Sequence, residues 1–152
     1  MRERLFVYGT LRKGLYNYYQ YLHENSDFQG YAYIKGCLME THSGDMPAYL
    51  MEGEDMILGE IYEISQETLS IIDKLANYTE NHVSSNTYIR QKEYVYNEKG
   101  EVIDNVYIYV YNMDNLANIA SIGDYIKEND YIQFLLNQDF KKKLFMSRYE
   151  DE

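Results

Sequence analysis

Alternating, strand-forming segments fill the middle of this chain, and no strong helical pattern separates them. Residues 57–64 set Ile57, Gly59, Ile61 and Glu63 on one face and Leu58, Glu60, Tyr62 and Ile64 on the other. Two β-rich segments follow at 87–96 and 102–111, joined by Asn97-Glu98-Lys99-Gly100, a sequence suited to a hairpin. Upstream, Leu5-Phe6-Val7-Tyr8 reads as a buried strand that stops at Gly9. Residues 28–40 favour extended structure with Gly30 and Gly36 as bulges or bends, and 48–51 as a brief strand. Helical spacing is confined to short stretches: 15–23, the segment opened by Ser65 as N-cap, 129–136 and 140–145. Ser43-Gly44-Asp45 reads as a turn and 77–86 as a polar loop. There is no βαβ series, so the expected architecture is α+β: a small, mostly antiparallel sheet, closed into a β-barrel, with a few short helices.

The 152 residues suffice for one domain with a real core. Nineteen tyrosines and no tryptophan suit strands with one wet face, where the ring packs and the hydroxyl reaches water. A formal net charge of -11 repels phosphate backbones and argues against a nucleic-acid partner. The one basic run, Lys141-Lys142-Lys143, has Asp139 and Glu150-Asp151-Glu152 around it and reads as a solvated helix face. A lone Cys37 cannot form an internal disulfide and reads as a small core residue. His23, His42 and His82 share no motif, and no Cys/His cluster has metal-ligand spacing, so no metal is expected. No segment approaches a membrane span and the N-terminal apolar run is too short for a signal peptide. A cytoplasmic location without membrane partner is therefore the expectation. From residue 129 onward the apolar residues need a packing surface, either on the chain's own sheet or on a neighbouring copy, which leaves an oligomer open.

The first stretch with chemical content is Phe6-Val7-Tyr8-Gly9-Thr10-Leu11. A strand ending in Gly-Thr exposes successive backbone N–H groups, and glycine lets another group come close to the main chain. Such a nest holds a carboxylate or a developing oxyanion. A plain strand followed by a turn accounts for the same residues.

Four further stretches agree with that opening in order and spacing. They are Gly44-Asp45-Met46-Pro47-Ala48; Leu58-Gly59-Glu60-Ile61-Tyr62; Ile72-Asp73-Lys74-Leu75 followed by Tyr88-Ile89-Arg90; and residues 106–111 with Gly123-Asp124-Tyr125. Together with Tyr8-Gly9-Thr10-Leu11, this set resembles the γ-glutamylcyclotransferase-like superfamily, which includes γ-glutamylamine cyclotransferase and the AIG2-like proteins. The resemblance implies residues 1–125 as the family domain and 126–152 as a C-terminal helical extension packed on it. It implies a cavity at Tyr8, Gly9, Thr10 and Leu11 that receives a γ-glutamyl group, with Tyr88 and Tyr109 as further substrate contacts or as core rings. It implies a reaction without cofactor, in which a γ-glutamyl amine or dipeptide cyclises to 5-oxoproline and a free amine.

The family carries its catalytic glutamate in Leu-Glu-Gly-Tyr. Matched without gaps on Leu75, Tyr78, Tyr88 and Arg90, that glutamate falls on Ala76 and the next glycine on Asn77. Alanine has no proton to move. Either the reaction was lost naturally, or alanine was introduced by substitution, or Glu80 acts in its place. Glu80 shares a face with position 76 only if the helix continues, and Asn77-Tyr78-Thr79 argues against continuation. Glu60 and Glu63 lie on opposite faces and cannot pair; each reads first as a surface or salt-bridge residue and second as one lining a barrel interior, and Asp73 as support for the helix. Three functions remain open: a cyclotransferase-class protein, a non-catalytic module binding a small carboxylate-bearing ligand, and an interaction protein using its tyrosine-rich, acidic surface.

Overall fold

The computed structural model describes residues 2–42, 46–81 and 83–139. The strands are β1 (Arg2–Val7), β2 (Ser26–Thr41), β3 (Ala48–Ser65), β4 (Tyr88–Tyr96), β5 (Val102–Tyr111) and β6 (Ile122–Ile126). The helices are α1 (Gln66–Leu75), α2 (Leu116–Ser121) and α3 (131–139). The sheet runs β3-β1-β5-β4-β2-β6, and β2 also pairs with β3, so five strands form a ring. Closure between β2 and β4 is one bridge, Tyr33 to Tyr96, which makes the ring barrel-like rather than evenly closed. Pairings are antiparallel except β1 with β5, where Leu5 stands beside Tyr107. The mixed α+β architecture with a mostly antiparallel sheet is the one the alternation predicts.

Local signals place most elements. Ser65 accepts a hydrogen bond from the Thr68 N–H at 3.1 Å, with Glu67 in the first turn and Lys74 in the last, each favourable against the helix dipole. Gly30 and Gly36 sit at register shifts of β2 with φ of 131° and 154°, the backbone that lets a long strand kink without a Cβ penalty. The sequence splits 48–51 from 57–64, whereas β3 is continuous. The join is made by a register shift: Leu50 pairs with Cys37 and Asp55 with Gly36, and the exposed residues 51–54 between them have no partner in β2. The predicted helix at 15–23 is a single wide turn, Tyr18–Leu22, in which the His23 N–H bonds the Tyr18 carbonyl at 2.9 Å. Periodicity leaves 116–126 unassigned; α2 and β6 form there. The readings of 43–45, His82 and 140–145, including the lysine run, lie outside the described residues.

Two apolar clusters fill the interior. One gathers Phe6, Tyr8, Tyr49, Ile61 and Ile108, and takes in Tyr131 and Phe134 of α3. The other gathers Leu5, Val7, Leu11, Leu69, Ile72, Ala76, Tyr88 and Tyr109. β1, paired on both edges, separates them by pleat alternation. Gly59 permits this closeness: a Cβ there would stand 2.4 Å from the Phe6 ring and 2.4 Å from the Val7 carbonyl oxygen. Gly59→Ala is expected to cost roughly 1–3 kcal/mol by overpacking. Urea unfolding midpoints measure it, and an unchanged midpoint would show that β1 and β3 can part without loss.

Candidate functional site

The end of β1 builds the candidate site. Its antiparallel register with β3 sets Val7 beside Glu60, and its parallel register with β5 carries Tyr109 to the same level. Beyond Val7 the chain leaves the sheet. Arg12 N–H closes a turn on the Gly9 carbonyl at 3.0 Å, and the Asn17 side-chain amide donates to Thr10 Oγ1 at 2.8 Å. Among the described residues, the N–H groups of Gly9, Thr10 and Leu11 donate to no partner. Residues 6–11, Met46, Pro47 and Tyr109 enclose a recess of about 20 Å³.

That recess is narrower than the sequence leads one to expect. It has room for about one water molecule, because Pro47 lies over Gly9: a Cβ on Gly9 would stand 2.7 Å from Pro47 Cγ. Two hydrogen bonds hold this wall. The Tyr88 phenol donates to the Pro47 carbonyl at 2.7 Å, and Thr41 Oγ1 donates to the Met46 carbonyl at 3.0 Å.

A buried charge network fixes the loop from below. Arg12 Nε donates to Glu60 Oε2 at 2.8 Å, with the two side chains 4% and 3% exposed. Glu60 Oε1 accepts from the Lys13 N–H at 2.9 Å and from the Tyr62 phenol at 2.8 Å, and Arg12 Nη1 reaches Asp130 at 2.6 Å. Every polar edge of the carboxylate is thereby engaged, which a buried charge requires. Sequence reasoning ranks Glu60 first as a surface or salt-bridge residue and second as lining the interior; the structure has it in a salt bridge that is inside. The available signal was its shared strand face with Tyr62 and Ile64, both buried.

The helix that presents position 76 ends in a Schellman motif. Asn77 takes φ of 50°, its N–H bonds the Lys74 carbonyl at 3.1 Å, and the Tyr78 N–H bonds the Asp73 carbonyl at 2.9 Å. Asparagine at that position explains why the family's glycine is replaceable there: both tolerate the left-handed conformation. The Tyr88 N–H bonds the Ala76 carbonyl at 3.2 Å, so the helix end is pinned to the start of β4. Ala76 is 1% exposed and belongs to the cluster that contains Val7, Leu11 and Tyr109, three of the residues lining the recess. Glu80 is exposed in the turn beyond the motif, where α1 no longer sets its direction.

The three tyrosines differ. The Tyr8 phenol is buried and donates to the Tyr109 carbonyl at 2.7 Å. Tyr88 is a core ring whose phenol braces Pro47, and it does not line the recess. Tyr109 lines it, and its phenol donates to Asp73 Oδ1 at 2.7 Å; Arg90 donates to both oxygens of the same carboxylate, at 2.9 and 3.2 Å. Asp73 thus ties α1 to β4 and β5. Burial pushes the phenols of Tyr8, Tyr62, Tyr88 and Tyr109 well above the ordinary tyrosine value near 10, and the neighbouring carboxylates add to this at Tyr62 and Tyr109. Phenols whose folded pKa is raised contribute stability that is whole below pH 10 and is lost as pH rises above it, by about 1.4 kcal/mol per phenol per pH unit. Tyrosinate absorbance is expected to lag in this protein above pH 10 and then to rise together with loss of β-sheet signal. A titration of all nineteen tyrosines before unfolding would contradict the burial. Among the described residues, no group of His, Cys, Asp and Glu is placed to hold a metal ion, and no helix is long and apolar enough to cross a membrane.

Fold and site together define a small α+β domain in which the loop after the first strand carries unbonded amides beside a narrow recess. The chain belongs to the gamma-glutamyl cyclotransferase, AIG2-like family, whose pattern it matches over residues 5–133. It is 38% identical over 111 residues to the gamma-L-glutamyl-butirosin B gamma-glutamyl cyclotransferase of Niallia circulans, covering 73% of this chain and 68% of that one. It is 33% identical over 127 residues to a protein of Methanocaldococcus jannaschii provisionally named gamma-glutamylcyclotransferase, covering 81% and 95%. The solved structure of an AIG2-like protein from Mus musculus matches with a TM-score of 0.59 at 22% identity, over 84% of this chain and 90% of that one, a likeness of fold.

Proposed function

We propose that this chain recognises a γ-glutamyl amine or dipeptide at the Gly9–Leu11 amides, and that it carries the frame of a cyclotransferase from which the proton-transferring carboxylate is missing. In the reaction of that frame, the α-amine of the γ-glutamyl unit attacks its own γ-carbonyl. A C–N bond forms, the amide C–N bond breaks, and 5-oxoproline separates from the amine. The loop amides stabilise charge on the substrate oxygen, and enclosure holds the chain bent toward ring closure. One proton has to pass from the attacking nitrogen to the departing one.

The observation that carries the reading is the place of Ala76. It sits at the C-cap of α1, buried in the cluster that also contains Val7, Leu11 and Tyr109 of the recess lining. Substrate entry requires Met46 and Pro47 to move off Gly9, since the recess holds no acyl chain as it stands. The test is 5-oxoproline release from γ-glutamyl amides by Ala76→Glu. Release supports the reading, and a folded variant that releases none from any of them counts against it.

Ala76 itself favours a second reading, a binding module that holds its γ-glutamyl or other carboxylate-bearing ligand without turning it over. Mass spectrometry of small molecules retained by the purified protein separates the two: an unrelated ligand favours the second.

A further inference from the structure

Met46 and Pro47 wall two spaces. On one side is the recess beside Gly9; on the other is a pocket of about 320 Å³ bordered by Glu40, Thr41, Tyr131, Phe134, Leu135 and Gln138. Any movement that lifts this shared wall from Gly9 joins the two into one cavity of the size small ligands occupy. A γ-glutamyl group held at the loop amides then directs its amine half into the larger space.

The chemistry of that space is specific. Tyr131 and Phe134 stack with ring centroids 5.7 Å apart and an interplanar angle of 25°, and Leu135 continues the apolar surface. Among the described residues, Glu40 supplies its one carboxylate and no cationic side chain borders it. The rings of Tyr131 and Phe134 and the Leu135 side chain bind an aliphatic or aromatic body, with Glu40, Thr41 and Gln138 making up the polar half of the lining. A carboxylate beside Glu40, in a partly enclosed site, is repelled. Building on the γ-glutamyl reading, we propose that this pocket selects γ-glutamyl derivatives of apolar or aromatic amines and rejects γ-glutamyl amino acids, whose α-carboxylate would face Glu40.

Calorimetric titration of the chain as it stands, with Ala76 in place, tests this with three probes: γ-glutamyl-methylamide, γ-glutamyl-phenethylamide and γ-glutamyl-phenylalanine. The phenethylamide is expected to bind at least about tenfold tighter than either of the others. Glu40→Gln is expected to narrow the gap between phenethylamide and dipeptide by at least about threefold. Equal affinity of methylamide and phenethylamide overturns the pocket assignment and leaves the γ-glutamyl reading intact. Equal affinity of phenethylamide and dipeptide, or a gap unmoved by Glu40→Gln, overturns the role of Glu40. Binding by none of the three removes the γ-glutamyl reading, and the pocket assignment with it.

Discussion

Ala76→Glu is expected to raise 5-oxoproline release from γ-glutamyl amides by about 10²–10⁴-fold over the parent chain, the usual contribution of a positioned proton-transfer group. The backbone at that position is already set by the Schellman turn and by the bond from Tyr88, so the new side chain begins from a fixed Cα. The gain has a cost in stability. Position 76 is 1% exposed among apolar side chains, and a carboxyl placed there loses hydration with few partners. Its ionisation is therefore displaced upward. The stability penalty is smallest below about pH 4 and grows as pH rises, because the unfolded chain ionises the carboxyl while the folded one resists. Release should climb with pH through the displaced ionisation. Chromatographic assay of 5-oxoproline together with thermal melts at two pH values measures both effects. A melt unchanged from the parent at neutral pH, together with no product, would mean that the new side chain points to water and not toward the recess.

Arg12→Ala is expected to cost about 3–5 kcal/mol, as breaking a buried ion pair by removing one partner does. The loss follows from what remains. Glu60 keeps only the Tyr62 phenol and the Lys13 N–H, and Asp130 loses its guanidinium. For a domain of this length the melting temperature should fall by roughly 10 °C. The double change Arg12→Met with Glu60→Leu removes the buried pair and is expected to recover much of the loss, because an apolar pair of similar volume fills the space and the one carboxylate left without its partner, Asp130, is in reach of water. A single mutant that melts within a degree or two of the parent would show that water reaches Glu60. Ligand affinity should fall with Arg12→Ala and return in large part in the double variant, since the residue-12 N–H that closes the turn on the Gly9 carbonyl is main chain and survives both changes.

The parts legible in the sequence are those governed by local rules. Strand alternation, the Ser65 cap, the two β2 glycines and the 97–100 reversal are each set by neighbours within a few residues, and the structure forms all of them. Long-range facts are not legible. Arg12 and Glu60 stand 48 positions apart, and nothing near either names the other as its partner until the β1–β3 register brings them together. The glycine at position 9 reads as room for a ligand; in the folded chain that room is taken by Pro47, nearly forty residues away. The joining of 48–51 with 57–64 depends on partners in β2 that no window on β3 contains.

The ring of strands has a seam. Tyr33 and Tyr96 make its only backbone closure between β2 and β4, whereas β4 and β5 are zipped along nine residue pairs. The other join of the β4–β5 hairpin is as slight, the one pair of Leu5 with Tyr107 between β1 and β5. The hairpin is thus a panel held to the block of β1, β3 and β2 by two single bridges, and parting either sacrifices very little main-chain bonding.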